Sequence, residues 1–207
     1  MAHLLNFSSQ GSGLPLVFIH GWGLNSGVWQ PTIDALKNDY HVTTVDLPGF
    51  GTNLANTISP YTLEGVTDLV SEALNEPSII IGWSLGGLVA KKLALQYPEK
   101  VKGIVTIASS PYFVETDSWP GIAPEVLSLF HRQLSQDTQK TIDNFLKIQA
   151  MGSPHIRHDI KLIRQLIMQF DMPSQQTLDE SLLLLETVDL REKLPHITVP
   201  YFRMYGK

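Results

Sequence analysis

Residues 82–86 read Gly-Trp-Ser-Leu-Gly, the pattern G-x-S-x-G, directly after the apolar run Ile79-Ile80-Ile81. As a bare pattern this arises by chance on the order of once per 3000 positions at ~7 % usage of Gly and Ser. The flanks therefore decide its meaning. Residues 78–82 have the β-branched richness of a buried strand, and residues 85–96 have helical spacing that ends at Pro98. A strand, a sharp turn and a helix, with serine at the turn, lift a hydroxyl to the carboxyl edge of a sheet. Small residues two before and two after it let the backbone pass close to itself. Ser84 is thus expected to be a nucleophile. The N–H of Leu85, at a helix N-terminus, is expected to face the oxyanion that forms on attack. The plainer alternative is a glycine-rich turn that carries a serine by chance.

The rest of the chain supplies the sheet that such a turn needs. Strands are expected at 14–20, 41–47, 78–82 and 101–108, with helices at 28–36, 62–74 and 85–96 between them. Strands alternating with helices imply right-handed crossovers and a mainly parallel sheet covered on both faces, an α/β fold. After Ser109-Ser110-Pro111 the pattern changes. Residues 122–187 show only helical periodicity, broken at Gly152-Ser153-Pro154 and Met172-Pro173-Ser174, and four helices fit there. A further strand is expected at 199–205. The expected organisation is a hydrolase core at 1–111, a helical cap at 112–187 and a return to the core at 188–207.

His20-Gly21-Trp22-Gly23 closes the first of those strands. In the α/β-hydrolase fold this loop supplies the second oxyanion donor, assigned here to the N–H of Trp22. The Trp22 side chain is read as pocket wall, with core as the alternative. His20 is read as a structural histidine bracing the loop, not a proton carrier. Asp46 ends a strand that precedes the serine, whereas a triad acid follows it in this fold; Asp46 is read as a loop-bracing carboxylate.

Composition removes other classes. There is no cysteine, which excludes a disulfide framework, a thiol nucleophile and thiolate metal sites. The net charge of −5 argues against bulk attraction to nucleic acid or anionic lipid. No apolar run nears the ~20 residues of a membrane helix, and the first residues do not form a signal peptide. A cytoplasmic protein is expected, with no metal and no organic cofactor, since HExxH, a phosphate-binding loop and GxGxxG after a strand are all missing. Oligomeric state is not legible; a monomer is the simplest expectation.

HGWGLN at 20–25, DLPGFG at 46–51, GWSLGGLVA at 82–90, ASSP at 108–111, WPGI at 119–122, FLKIQAMG at 145–152 and TVDLR at 187–191 together resemble the pimeloyl-[acyl-carrier protein] methyl ester esterases of biotin synthesis (the BioH type). HG and GxSxG belong to the superfamily at large; the Trp22/Trp83 pair, WPGI and the FLxxQ-MG segment are narrower. The resemblance implies a serine carboxylesterase that hydrolyses the methyl ester of a pimeloyl chain borne on acyl-carrier protein. It implies Ser84 as nucleophile, Trp22 and Leu85 as oxyanion hole, and Phe145, Ile148 and Gln149 as part of an acyl channel. It also implies that the triad Asp and His follow the strand at 199–205, beyond residue 207. The chain is then expected to be C-terminally truncated and nearly inactive by itself.

Residues 131–170 carry six basic side chains against three acidic ones, in a chain that is acidic overall. Arg157, Lys161 and Arg164 are spaced i, i+4, i+7 and share a helix face. A solvated face is the bland explanation. With the resemblance, Lys140, Arg157, Lys161 and Arg164 are expected to dock the acidic carrier protein. Asn144 stands where the resembling enzymes can carry another basic residue. The rival expectations are another capped hydrolase (a short-chain esterase, thioesterase or C–C bond hydrolase) or an inactive chain that only binds carrier protein.

Overall fold

The computed structural model describes residues 5–206. Six strands form one sheet in the order β1-β3-β2-β4-β5-β6. They are β1 (Phe7–Gln10), β2 (Leu14–Ile19), β3 (Tyr40–Val45), β4 (Ser78–Trp83), β5 (Val101–Ile107) and β6 (Tyr201–Met204). β1 pairs antiparallel with β3, and every other pairing is parallel. The five strands read from the sequence are present within two residues or so of their expected ends. β1 was not foreseen. Phe7-Ser8-Ser9-Gln10 is short, polar and exposed on both faces, so no period-2 apolar signal marks it. Its place at the sheet edge explains that composition.

Among the described residues seven α-helices accompany the sheet: α1 (Gln30–Leu36), α2 (Leu63–Glu72), α3 (Leu85–Gln96), α4 (Pro124–Gln136), α5 (Thr138–Gln149), α6 (Ile156–Ile167) and α7 (Gln175–Thr187). α1 opens with Pro31 in its first turn, after a 3₁₀ turn at Ser26–Trp29. There a proline removes no helical hydrogen bond. α2 is capped by the Thr62 hydroxyl, which accepts from the Gly65 N–H. Alternate residues of β2 serve opposite faces of the sheet. Val17 and Ile19 join a core with Val66, Val70, Leu88 and Leu93 of α2 and α3. Leu16 and Phe18 join a second core with Trp29 and Ile33 beside α1.

α4 to α7 lie in sequence between β5 and β6, which are hydrogen-bonded neighbours. The chain order reverses between β2 and β4, with β3 to one side and β5 to the other. In open α/β sheets the crevice beyond the carboxyl ends of the strands at such a reversal is where ligands bind. β2 ends there in residues 20–25 and β4 ends there in Ser84.

Candidate active site

Ser84 is the single residue between β4 and α3. Its backbone has φ 52° and ψ −112°, a conformation that costs of order 1–3 kcal/mol for a residue with a side chain. Hydrogen bonds on both sides hold it there. The Ser84 N–H donates to the Ile107 carbonyl at 2.9 Å, and the Gly87 N–H donates to the Ser84 carbonyl at 2.9 Å. The residue is only 7 % exposed. Ala108, at the end of the adjacent strand β5, also has positive φ, 47°. These are the two non-glycine residues with positive φ among those described, and they sit side by side at the carboxyl edge of the sheet. Sequence patterning marks the first through G-x-S-x-G and gives no signal for the second.

The loop after β2 lies against this turn. A Cβ built on Gly21 would stand 3.4 Å from the Ser84 Cβ, and one on Gly86 would stand 2.4 Å from the Ile19 carbonyl oxygen. The start of α3 and the end of β2 are therefore in backbone contact. Among the described residues, neither the Trp22 N–H nor the Leu85 N–H donates to a backbone or side-chain acceptor. Both amides remain available beside Ser84.

The loop is braced from beneath by His20 and Asp46, both buried. His20 Nε2 accepts the Leu47 N–H at 3.0 Å. Its Nδ1 lies 2.8 Å from the Gly21 carbonyl oxygen, an acceptor, so the proton sits on Nδ1. Burial lowers the His20 pKa, outweighing the opposing pull of Asp46, and the ring stays neutral. The Asp46 carboxylate accepts four hydrogen bonds, from the N–H and hydroxyl of Ser26 and the N–H and hydroxyl of Thr52. These are the bracing roles expected for both residues.

Of the two expectations for the Trp22 side chain, pocket wall or core, its surroundings match the core. Trp22 is 0 % exposed and belongs to the main core. Its indole N–H donates to the Leu178 carbonyl of α7 at 3.0 Å. Its ring meets Phe130 of α4 and Phe145 of α5 edge-on, at 5.5 and 5.4 Å between centroids. A large aromatic at the meeting of loop and inserted helices excludes water most completely by filling the joint.

α5 carries the three residues that the resemblance places in an acyl channel. Phe145 and Gln149 are half-buried, and Ile148 is 55 % exposed. The inward residues are Thr141, Ile142 and Leu146. At about 100° per residue, an arc centred on Ile142, Phe145, Leu146 and Gln149 leaves Ile148 at its edge, towards solvent.

On α6, Arg157, Lys161 and Arg164 are all exposed. Arg164 forms an ion pair with Asp143 of α5 at 3.3 Å. Lys140 is exposed in the first turn of α5, at the rim of a pocket of about 180 Å³ that Asn144 also lines.

Lys91 went unremarked in the sequence. It is fully buried in α3, six residues after the start of that helix. Its Nζ donates to the Ser109 hydroxyl at 2.8 Å and to the Gly87 and Ser110 carbonyls at 3.3 and 3.4 Å. Among the described residues no carboxylate pairs with it. Burial, helped by Arg203, brings its pKa down to about 7. The available signal was the Lys91-Lys92 pair inside the otherwise apolar stretch Leu88–Leu95, of which Lys91 points inward.

A sequence model of the alpha/beta hydrolase fold matches residues 15–193. The pimeloyl-[acyl-carrier protein] methyl ester esterase of Aeromonas hydrophila subsp. hydrophila is 46 % identical to this chain over 198 residues, covering 95 % of this chain and 78 % of that protein. The protein of the same name from Vibrio cholerae serotype O1 is 44 % identical over 207 residues, covering 100 % of this chain and 80 % of its own. Among solved structures, an esterase from Exiguobacterium antarcticum superposes with a TM-score of 0.86 at 25 % identity, covering 98 % of this chain and 77 % of that one.

Proposed function

Because this chain belongs to the pimeloyl-[acyl-carrier protein] methyl ester esterases of the α/β-hydrolase fold, we propose that it is built to hydrolyse the methyl ester of a pimeloyl chain on acyl-carrier protein, with Ser84 as nucleophile, in the cytoplasm. The Ser84 Oγ attacks the ester carbonyl carbon. The carbonyl electron pair moves onto oxygen, where the N–H groups of Trp22 and Leu85 receive it. Collapse of that intermediate expels methanol, which takes up the proton from Ser84, and leaves an acyl-serine. Water then cleaves the acyl-serine and frees the carboxylate. The observation that carries this assignment is the strained backbone of Ser84 between β4 and α3, with the Gly21-Trp22 loop against it.

The proton needs a relay. Among the described histidines, His20 is occupied by Leu47 and Gly21, His41 pairs with Glu76, and His131 lies between Asp179 and Glu186. None of the described histidines is hydrogen-bonded to Ser84. α4 to α7 act as a cap, whose basic face on α6 receives the acidic carrier. A second assignment, carrier binding without turnover, is favoured by that same lack of an imidazole at Ser84.

A fluorophosphonate probe, which phosphonylates activated serines, separates the two. Ser84 should be modified, mapped by mass spectrometry, and Ser84→Ala should take up no probe and lose methyl ester hydrolysis. Ester hydrolysis that persists undiminished in Ser84→Ala would overturn the nucleophile. A wild-type protein that binds carrier protein but takes up no probe would favour binding without turnover.

A further inference from the structure

We propose that Asn25 is a positioning residue for the oxyanion site, fixing the loop that carries the Trp22 amide to the end of α6. This rests on the esterase assignment above and adds to it the element that sets the donor geometry. The side chain of Asn25 is buried, 6 % exposed, and both ends of its carboxamide are used. Nδ2–H donates to the Ile167 carbonyl at 2.9 Å, across 142 residues of sequence, and Oδ1 accepts the Gly27 N–H at 3.1 Å.

Ile167 is the last residue of α6, so its carbonyl has no partner within the helix; it accepts a long bond from the Phe170 N–H at 3.3 Å and the shorter one from Asn25. The two backbones also touch: a Cβ on Gly27 would stand 2.5 Å from the Leu166 carbonyl oxygen. The loop is held to the core at Ser26, next to Asn25, through Asp46 and at its start through His20. The span between those anchors, residues 21–25, contains the Trp22 amide. Within that span the side-chain bonds run outward to the inserted helices, from Trp22 to Leu178 of α7 and from Asn25 to Ile167 of α6.

The indole bond fixes the Trp22 ring through two rotatable side-chain torsions. The Asn25 bond acts closer to the backbone, through a short side chain whose own loop turn is closed by Gly27. Releasing Asn25 thus frees the amide while leaving the ring packed. Because α6 also carries Arg157, Lys161 and Arg164, whatever seats that helix seats the oxyanion loop. Donor geometry matters to catalysis more than to ground-state binding, since the oxyanion exists only after attack.

Two variants test this: Asn25→Ala, which removes the bond, and Asn25→Asp, which keeps the shape but sets a carboxylate oxygen against the Ile167 carbonyl. Both should lower kcat for a small methyl ester about tenfold or more, up to the roughly 100- to 1000-fold found when an oxyanion donor is lost outright, with KM within about twofold. The rate of fluorophosphonate labelling should fall in parallel. In Asn25→Asp the ratio of variant to wild-type kcat should climb as pH falls, because the protonated carboxyl can again donate to Ile167. A merely structural side chain would not restore activity on acidification. Should Asn25→Ala fail to fold, Asn25→Asp decides alone. Wild-type labelling at Ser84 with unchanged kcat and labelling rate in the folded variants overturns the role of Asn25 and leaves the esterase standing. No labelling of wild-type Ser84 overturns both.

Discussion

Gly82 passes so close beneath the carbonyl of Gly86 that a Cβ on Gly82 would stand 2.2 Å from that oxygen and 2.4 Å from its carbon. Both contacts are to backbone, so no side chain can swing aside. An alanine at Gly82 must push the first turn of α3 away from β4, and the Leu85 amide moves with it. Gly82→Ala is expected to destabilise the fold by about 1–3 kcal/mol, as overpacking does, and to abolish probe labelling of Ser84. Urea unfolding followed by tryptophan fluorescence measures the first, and mass mapping the second. A variant of wild-type stability that still labels at Ser84 would mean the turn tolerates the extra carbon.

Trp22 divides its contribution between one hydrogen bond and a large buried ring. Trp22→Phe removes the bond to the Leu178 carbonyl. That oxygen also accepts from the Ser181 hydroxyl at 3.2 Å, so it is not stranded, and the lost bond is worth about 1 kcal/mol. Trp22→Ala opens a cavity between Phe130 and Phe145 and should cost roughly 3–5 kcal/mol. Denaturant titration of the two variants checks the order. Equal losses would show that the ring's packing carries little of the joint.

Lys91 makes stability depend on pH in the alkaline range. Its folded pKa is about 7, well below the ~10.4 of an exposed lysine. Between those values the unfolded chain holds a proton that the folded chain does not, so stability from this group rises with pH. Below pH 7 both states are charged, and the full penalty of burying the ammonium is present. The unfolding free energy of wild type minus that of Lys91→Met should therefore rise by about 1.4 kcal/mol per pH unit between pH 7.5 and 9.5, and flatten below 7. Denaturant titrations across that range measure it. A flat difference from pH 6 to 9.5 would mean the group keeps its charge throughout.

The sheet, the elbow and the helix boundaries were legible because each leaves a local mark. The apolar run 78–82, the small residues flanking Ser84, the Thr62 cap and the breaks at Pro154 and Pro173 all act within a few residues of sequence. What was not legible depends on partners far away. Asn25 gains meaning only beside Ile167, and Lys91 only beside Ser109 and Ser110. β1 carries no apolar alternation because an edge strand has little to bury. The exposure of Ile148 follows from the phase of α5 against its neighbours, which the residue type does not reveal.

The basic face of α6 has an internal control for carrier docking. Arg157 and Lys161 are exposed, and neither forms an ion pair among the described residues, whereas Arg164 already spends part of its charge on Asp143. Reversing the two free charges, Arg157→Glu with Lys161→Glu, replaces attraction to an acidic carrier with repulsion. KM for a carrier-borne methyl ester should rise at least about tenfold, the equivalent of about 1.4 kcal/mol, while a small methyl ester, which has no carrier to dock, is turned over as in wild type. Arg164→Ala should do less, because its charge is already partly offset by Asp143 and one charge is removed where the double variant reverses two. Raising ionic strength from low salt to about 0.5 M should shrink the difference between wild type and the double variant, since exposed charges are screened beyond a few ångströms there. Steady-state kinetics on both substrates at two salt concentrations measures all of this. If the double variant handled the carrier-borne ester normally at low salt, the docking face would have to be sought elsewhere on the molecule.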